Sequence, residues 1–148
     1  MVIQGYLDVS KDPVSWMVSQ LSGAILLSDN VTVASVSGVW VQKLTDIPWV
    51  SVYHKAKRGE WVQLGAGRRQ WNTTLGVRTW SKTMIDRDAM YRSIKSRVSD
   101  AAKAYSASGF IWCHVTDARP MDEPERVPPL YSSDVSVEVI YHETLSYS

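Results

Sequence analysis

Apolar residues first recur at helical spacing at Val14, Met17, Val18, Leu21, Ala24 and Ile25, which gives a helix with one apolar face. Asp12 stands before it as N-cap and Pro13 takes the first helical position. Gly23 weakens the helix, and Asp29-Asn30 mark its end. From Val31 the period changes to two. Val31 and Val33 alternate with Thr32 and Ala34, and after Ser37-Gly38 the stretch Val39 to Leu44 reads as another strand or a hairpin partner.

Pro48 opens a third strand, Trp49 to Lys55, with Val50, Val52 and His54 on one face and Trp49, Ser51 and Tyr53 on the other. Lys57-Arg58-Gly59 predicts a basic loop, followed by Glu60 to Leu64. Gly65-Ala66-Gly67-Arg68-Arg69 then turns the chain into its clearest strand, Trp71 to Trp80, where Trp71, Thr73, Leu75, Val77 and Thr79 share a face.

Asp86 caps a second helix with Met90, Ile94, Val98, Ala101 and Tyr105 on one side and Gly109 as its stop. Phe110 to Val115 is a short strand of buried type, and Arg119 to Pro129 is a loop too rich in proline for helix or central strand. Asp134 to His142 closes the chain as a strand with Val135, Val137, Val139 and Tyr141 on one face. Met90, Ile94, Val98 and Ala101 are expected to pack on Leu75, Val77, Val137 and Val139, or on the partner face of those strands. The order predicts one α+β domain over residues 1–148. It has two layers: an antiparallel or mixed β-sheet, with two α-helices packed on one face.

The 148 residues suffice for a core, and 45% hydrophobic against 21% charged residues argues against disorder. Lys plus Arg number 16 and Asp plus Glu 15, a net charge of +1, whereas nucleic-acid-binding domains carry a clear basic excess. The single cysteine, Cys113, excludes an intrachain disulfide and a cysteine metal cluster. Met1 to Ser10 lacks the pattern of a signal peptide, and the longest apolar run, Ala24 to Leu27, is far too short to span a membrane. These features place the chain in a reducing cytoplasm unless a larger particle carries it out. Seven Trp and seven Tyr accompany one Phe, Phe110. Side chains with an apolar body and a polar tip suit half-buried positions and protein interfaces.

Little in the sequence argues for catalysis. His54, His114 and His142 fall in separate strands without metal-ligand spacing. Cys113 and His114 are adjacent in a strand and so point to opposite faces. Gly65-Ala66-Gly67 leads into a strand, where a phosphate loop needs a helix. Asp117, Asp122, Glu123 and Glu125 crowd the proline-rich loop and are expected to face solvent. No catalytic, cofactor or metal residues are assigned. The candidate residues are of interface type: Trp49, Trp71 and Trp80, with Lys57, Arg58, Arg68 and Arg69. Arg68-Arg69 beside Trp71, near Lys55, Lys57 and Arg58, also has the makings of a small basic-aromatic face for single-stranded nucleic acid.

Ile47-Pro48-Trp49-Val50-Ser51-Val52, the strand Trp71 to Trp80 running into the helix Asp86 to Tyr105, and the closing strand Asp134 to Tyr141 resemble the tail terminator (tail completion) proteins of tailed bacteriophages. The resemblance covers nearly the whole chain and is one of pattern. It implies a structural virion protein of the tail–neck junction, assembled in the host cytoplasm. Such a protein forms a homo-oligomeric ring, usually a hexamer, caps the tail tube, ends its polymerisation and presents a head-docking surface. Its partners would be the tail tube protein and a neck or head-completion protein, with DNA passing transiently through the channel. A neck or head-completion connector of the same particle is the alternative, followed by a small nucleic-acid-binding module.

Overall fold

The computed structural model describes residues 13–63, 68–103 and 110–144. The first helix, α1, is Pro13–Leu21; its N-cap position, Asp12, lies outside the described residues. Met17 and Leu21 are fully buried along it, and it stops well before Asp29. Gly23 adopts φ +75°, a left-handed conformation that ends a helix at no steric cost, and the Ala24 amide bonds the Leu21 carbonyl at 3.0 Å. Ile25 and Leu27 stay buried on an extended segment that bridges back through Leu26 and Val33. The helical spacing of Ile25 thus reflects core contact without helix.

Strand β1 is Ser35–Ser37, β2 is Trp49–Gln63 and β3 is Arg68–Ser81. Helix α2 is Met84–Lys103, followed by β4, Phe110–Pro120, and β5, Tyr131–Thr144. The sheet order is β1-β2-β3-β5-β4, with β1 parallel to β2 and every other pair antiparallel. This is the expected α+β arrangement with a mixed sheet.

One sheet face is apolar because Val50 and Val52, Leu75 and Val77, and Val135, Val137 and Val139 alternate with polar residues. All seven are fully buried and pack with Met17 and Leu21 of α1 and Met90, Ile94, Val98 and Ala101 of α2, the contacts expected from the sequence. The α2 cap differs. Thr83 Oγ1 accepts the Asp86 amide at 3.1 Å, so Thr83 is the N-cap and Asp86 the third helical residue. The Asp86 carboxylate is thereby free to accept the Ser28 hydroxyl at 2.6 Å and the Ser28 amide at 3.1 Å. The Ser28 hydroxyl is the main cause that holds Asp86 below the usual carboxylate range. Arg97 Nε donates to the Gln20 carbonyl at 2.7 Å and so binds α2 to the end of α1. Tyr105 and Gly109 lie outside the described residues.

Three further expectations change. Val39 to Leu44 is not a strand: it crosses the second sheet face as irregular chain and enters a 3₁₀ turn at Leu44–Asp46. Lys57-Arg58-Gly59 lies inside β2 rather than in a loop. Asp122 is half-buried, pairs with Arg87 of α2 and accepts the Ser132 amide at 3.1 Å, so it pins the proline-rich loop to the body.

Candidate interface on the outer face of the sheet

The face turned away from the helices is set by the other half of the strand alternation. On β2 it presents Trp49, Ser51 and Tyr53, on β3 Gly76, Arg78 and Trp80, and on β5 Ser132, Asp134 and Ser136. Tyr53 stands opposite Gly76, and its ring lies across the space a side chain there would fill. A Cβ on Gly76 would sit 2.2 Å from Tyr53 Cζ. From that position the Tyr53 hydroxyl donates to Asp134, with both carboxylate oxygens at 2.8 Å. Lys55 Nζ lies 3.2 Å from Asp134 Oδ2, donates to Ser136 Oγ at 2.8 Å and sits 5.7 Å from the Tyr53 ring centre. Burial, then the bond to the Asp134 carboxylate and its charge, push the Tyr53 hydroxyl up to about 12, while the Arg78 charge acts the other way.

The segment after β1 arches over this face. The Val39 carbonyl accepts Trp49 Nε1 at 3.1 Å and Ser51 Oγ at 2.7 Å, which anchors the arch on β2. Trp40 then lies edge-on to Tyr53 at 5.6 Å and to Trp80 at 4.7 Å between ring centres. The Arg78 guanidinium is 5.7 Å from the ring centres of both Trp40 and Trp80, the range of a cation–π contact. Ile47, Trp80 and Leu130 form a second small core beneath the arch, with Val41 and Trp49 packed against it. Between the arch and the proline-rich loop is a cleft of about 310 Å³, lined among others by Trp40, Lys43, Arg78, Trp80, Glu123 and Arg126.

The structure therefore brings Trp49 and Trp80 together and separates them from Trp71, which packs against the main core on the helix side. Lys57, Arg58, Arg68 and Arg69 take positions on the far part of the β2–β3 ribbon. Alternation puts Arg58 and Arg68 at outer-face positions and Lys57 and Arg69 at inner-face positions. In register, Arg69 stands opposite Glu143. The basic positions are thus divided between two faces, with an acidic one beside them. Sequence reasoning missed Trp40, Tyr53, Arg78 and Asp134 as a cluster. The available signal was a polar residue at alternate positions of two neighbouring strands, Arg78 flanked by Val77 and Thr79, and Asp134 before Val135.

Other chemistry-bearing groups are inert or dispersed. Cys113 is buried, and burial pushes its thiol up to about 11, far from the thiolate that nucleophilic chemistry needs. Among the described residues no three of His, Cys, Asp and Glu come close enough to hold a metal ion. No helix among them is long and apolar enough to cross a membrane. A second cleft, about 390 Å³, lies between the 24–30 turn and α2, where Arg97 and Ser93 are already bonded to Gln20 and Leu26. The chain matches no known family model and no curated protein.

Proposed function

We propose that this chain is a structural subunit of a tailed-bacteriophage particle, of the tail terminator type. It forms a ring on the tail tube, ends tube polymerisation and offers the surface on which the head docks. The observation that carries the reading is an extended arm. β2, β3 and β5 stay paired out to Gln63↔Arg68 and Arg68↔Thr144. β4 pairs with β5 as far as Tyr141, which stands opposite Trp71, and β2, β3 and β5 run on together from there to Arg68. Three residues of extended chain lie beyond that row, roughly 10 Å of ribbon. Among the described residues no second strand pairs with β5 along that stretch, and an open ribbon edge suits contact with a neighbouring copy. Contact between an arm and the body of the next subunit is heterologous, the kind that closes cyclic rings.

The sheet edges favour the same reading. Among the described residues β1 covers β2 only at Trp49–Ser51, and β4 has no strand on its second side. Irregularities at His54/Ala56 and Val115/Asp117, with Pro120 at the end of β4, divide these edges into short stretches. Short stretches favour one defined neighbour over open-ended stacking. In this reading the protein carries no catalytic centre, and its place is the tail–neck junction of the virion.

The test mixes the purified chain with tail tubes growing from their tube protein, followed by electron microscopy. A hexameric ring at the tube end and an arrest of tube growth are expected. Tubes that keep elongating, with the chain still monomeric beside them, would end this reading.

A further inference from the structure

Arg78 is placed on a central strand, where its neighbours would ordinarily neutralise it. The nearest acid in register, Asp134, stands directly opposite on β5. Its oxygens are directed to the Tyr53 hydroxyl and to Lys55 instead. Among the described residues the Arg78 side chain makes no hydrogen bond or ion pair, and its Nε is buried without a partner. What holds the guanidinium is the pair of rings, Trp40 and Trp80. A guanidinium held by aromatic rings keeps its N–H groups available for a planar oxyanion.

The cleft beside it has the complementary character. Of its charged side chains, Glu123 Oε2 takes Arg126 Nη1 at 3.2 Å, which leaves Lys43 and Arg78 as cations without an acid partner among the described residues. The rest of the lining includes apolar Val41, Ile47 and Leu130 and the amide of Gln42. We propose that this cleft is a binding site for a carboxylate carried on an apolar stem, with the carboxylate on Arg78 and Lys43 and the stem against Trp40, Ile47 and Leu130. The mixed lining disfavours a bare oxyanion such as phosphate, which leaves the apolar wall wet. The site stands whether or not the chain forms rings. Its ligand comes either as a free carboxylic acid or as an acidic side chain of a partner protein beside an apolar one.

Calorimetric titration of the whole chain tests this with four probes: 3-phenylpropionate, its neutral amide 3-phenylpropanamide, sodium phosphate, and a blocked peptide whose single acid is a glutamate next to leucine. At least one carboxylate probe is expected to bind, with the free acid in the millimolar range that a ligand of its size permits. The amide and phosphate are expected to bind at least about tenfold more weakly. Arg78→Gln should weaken the carboxylate about tenfold or more, and Arg78→Lys should restore part of it. Should Arg78→Gln prove unfolded by circular dichroism, Lys43→Gln and Trp40→Leu change exposed residues. Each should weaken the same probe severalfold. A peptide that binds more tightly than the free acid identifies a partner chain as the source, and the reverse identifies a small molecule. No binding of either carboxylate, equal binding of acid and amide, phosphate binding as tightly, or variants that change nothing would overturn the proposal.

Discussion

The Tyr53 hydroxyl reaches Asp134 across Gly76, so a bond between two strands that are not neighbours exists only because the strand between them lacks a side chain there. Gly76→Ala puts a methyl group inside the Tyr53 ring and must expel it. The substitution should destabilise the fold by about 1–3 kcal/mol, the usual range for overpacking. In a Tyr53→Ala background the same change should have a much smaller effect. A double-mutant cycle of urea unfolding reads this coupling, and additive losses would show the ring is not held where described.

The raised Tyr53 hydroxyl has a consequence at high pH. Its folded value of about 12 lies above the ordinary 10, so the folded state keeps the proton more tightly than the unfolded chain. Its contribution to stability is complete below pH 10 and is lost as pH rises from about 10 to about 12. Tyr53→Phe should flatten that part of the stability curve. Unfolding midpoints measured across the interval, for wild type and variant, make the comparison.

Ile94 is fully buried where α2 meets the sheet. Ile94→Ala should cost about 2–5 kcal/mol, as large-to-small core changes do. Chemical denaturation measures it, and a loss under about half a kilocalorie would be a surface residue's response.

Reversal of both charges, Arg68→Glu with Arg69→Glu, should leave unfolding unchanged and impair assembly on the tail tube. The wild-type chain should bind oligonucleotides weakly or not at all. The basic positions of the arm are divided between both faces, with Glu143 opposite Arg69. Tight binding that falls steeply with salt and disappears in the double variant would favour a nucleic-acid-binding module instead.

The core was legible in the sequence because two independent periods met. Met90, Ile94 and Val98 recur at helical spacing and Leu75, Val77, Val137 and Val139 at strand spacing, and apolar burial leaves one way to bring those stripes together. The outer face was not legible, since Trp40, Tyr53, Arg78 and Asp134 meet only through strand order and the path of the arch, and neither is written in local pattern. Lys57-Arg58-Gly59 misled for a related reason. Its composition is that of a loop, but pairing with β3 at Thr73, Asn72 and Trp71 holds it extended. The end of α1 depended on one torsion at Gly23, which overrode an apolar spacing that continues past it.

β3 is flanked along its length, by β2 on one side and β5 on the other, with rungs that run perpendicular to the strands. A pull on the tip at Arg68, directed along the ribbon, therefore loads these rungs together in shear instead of opening them one after another. The arm is mechanically stiff toward tension along its axis and weak toward peeling from its side, so a complex held by it would resist a straight pull far better than a sideways one.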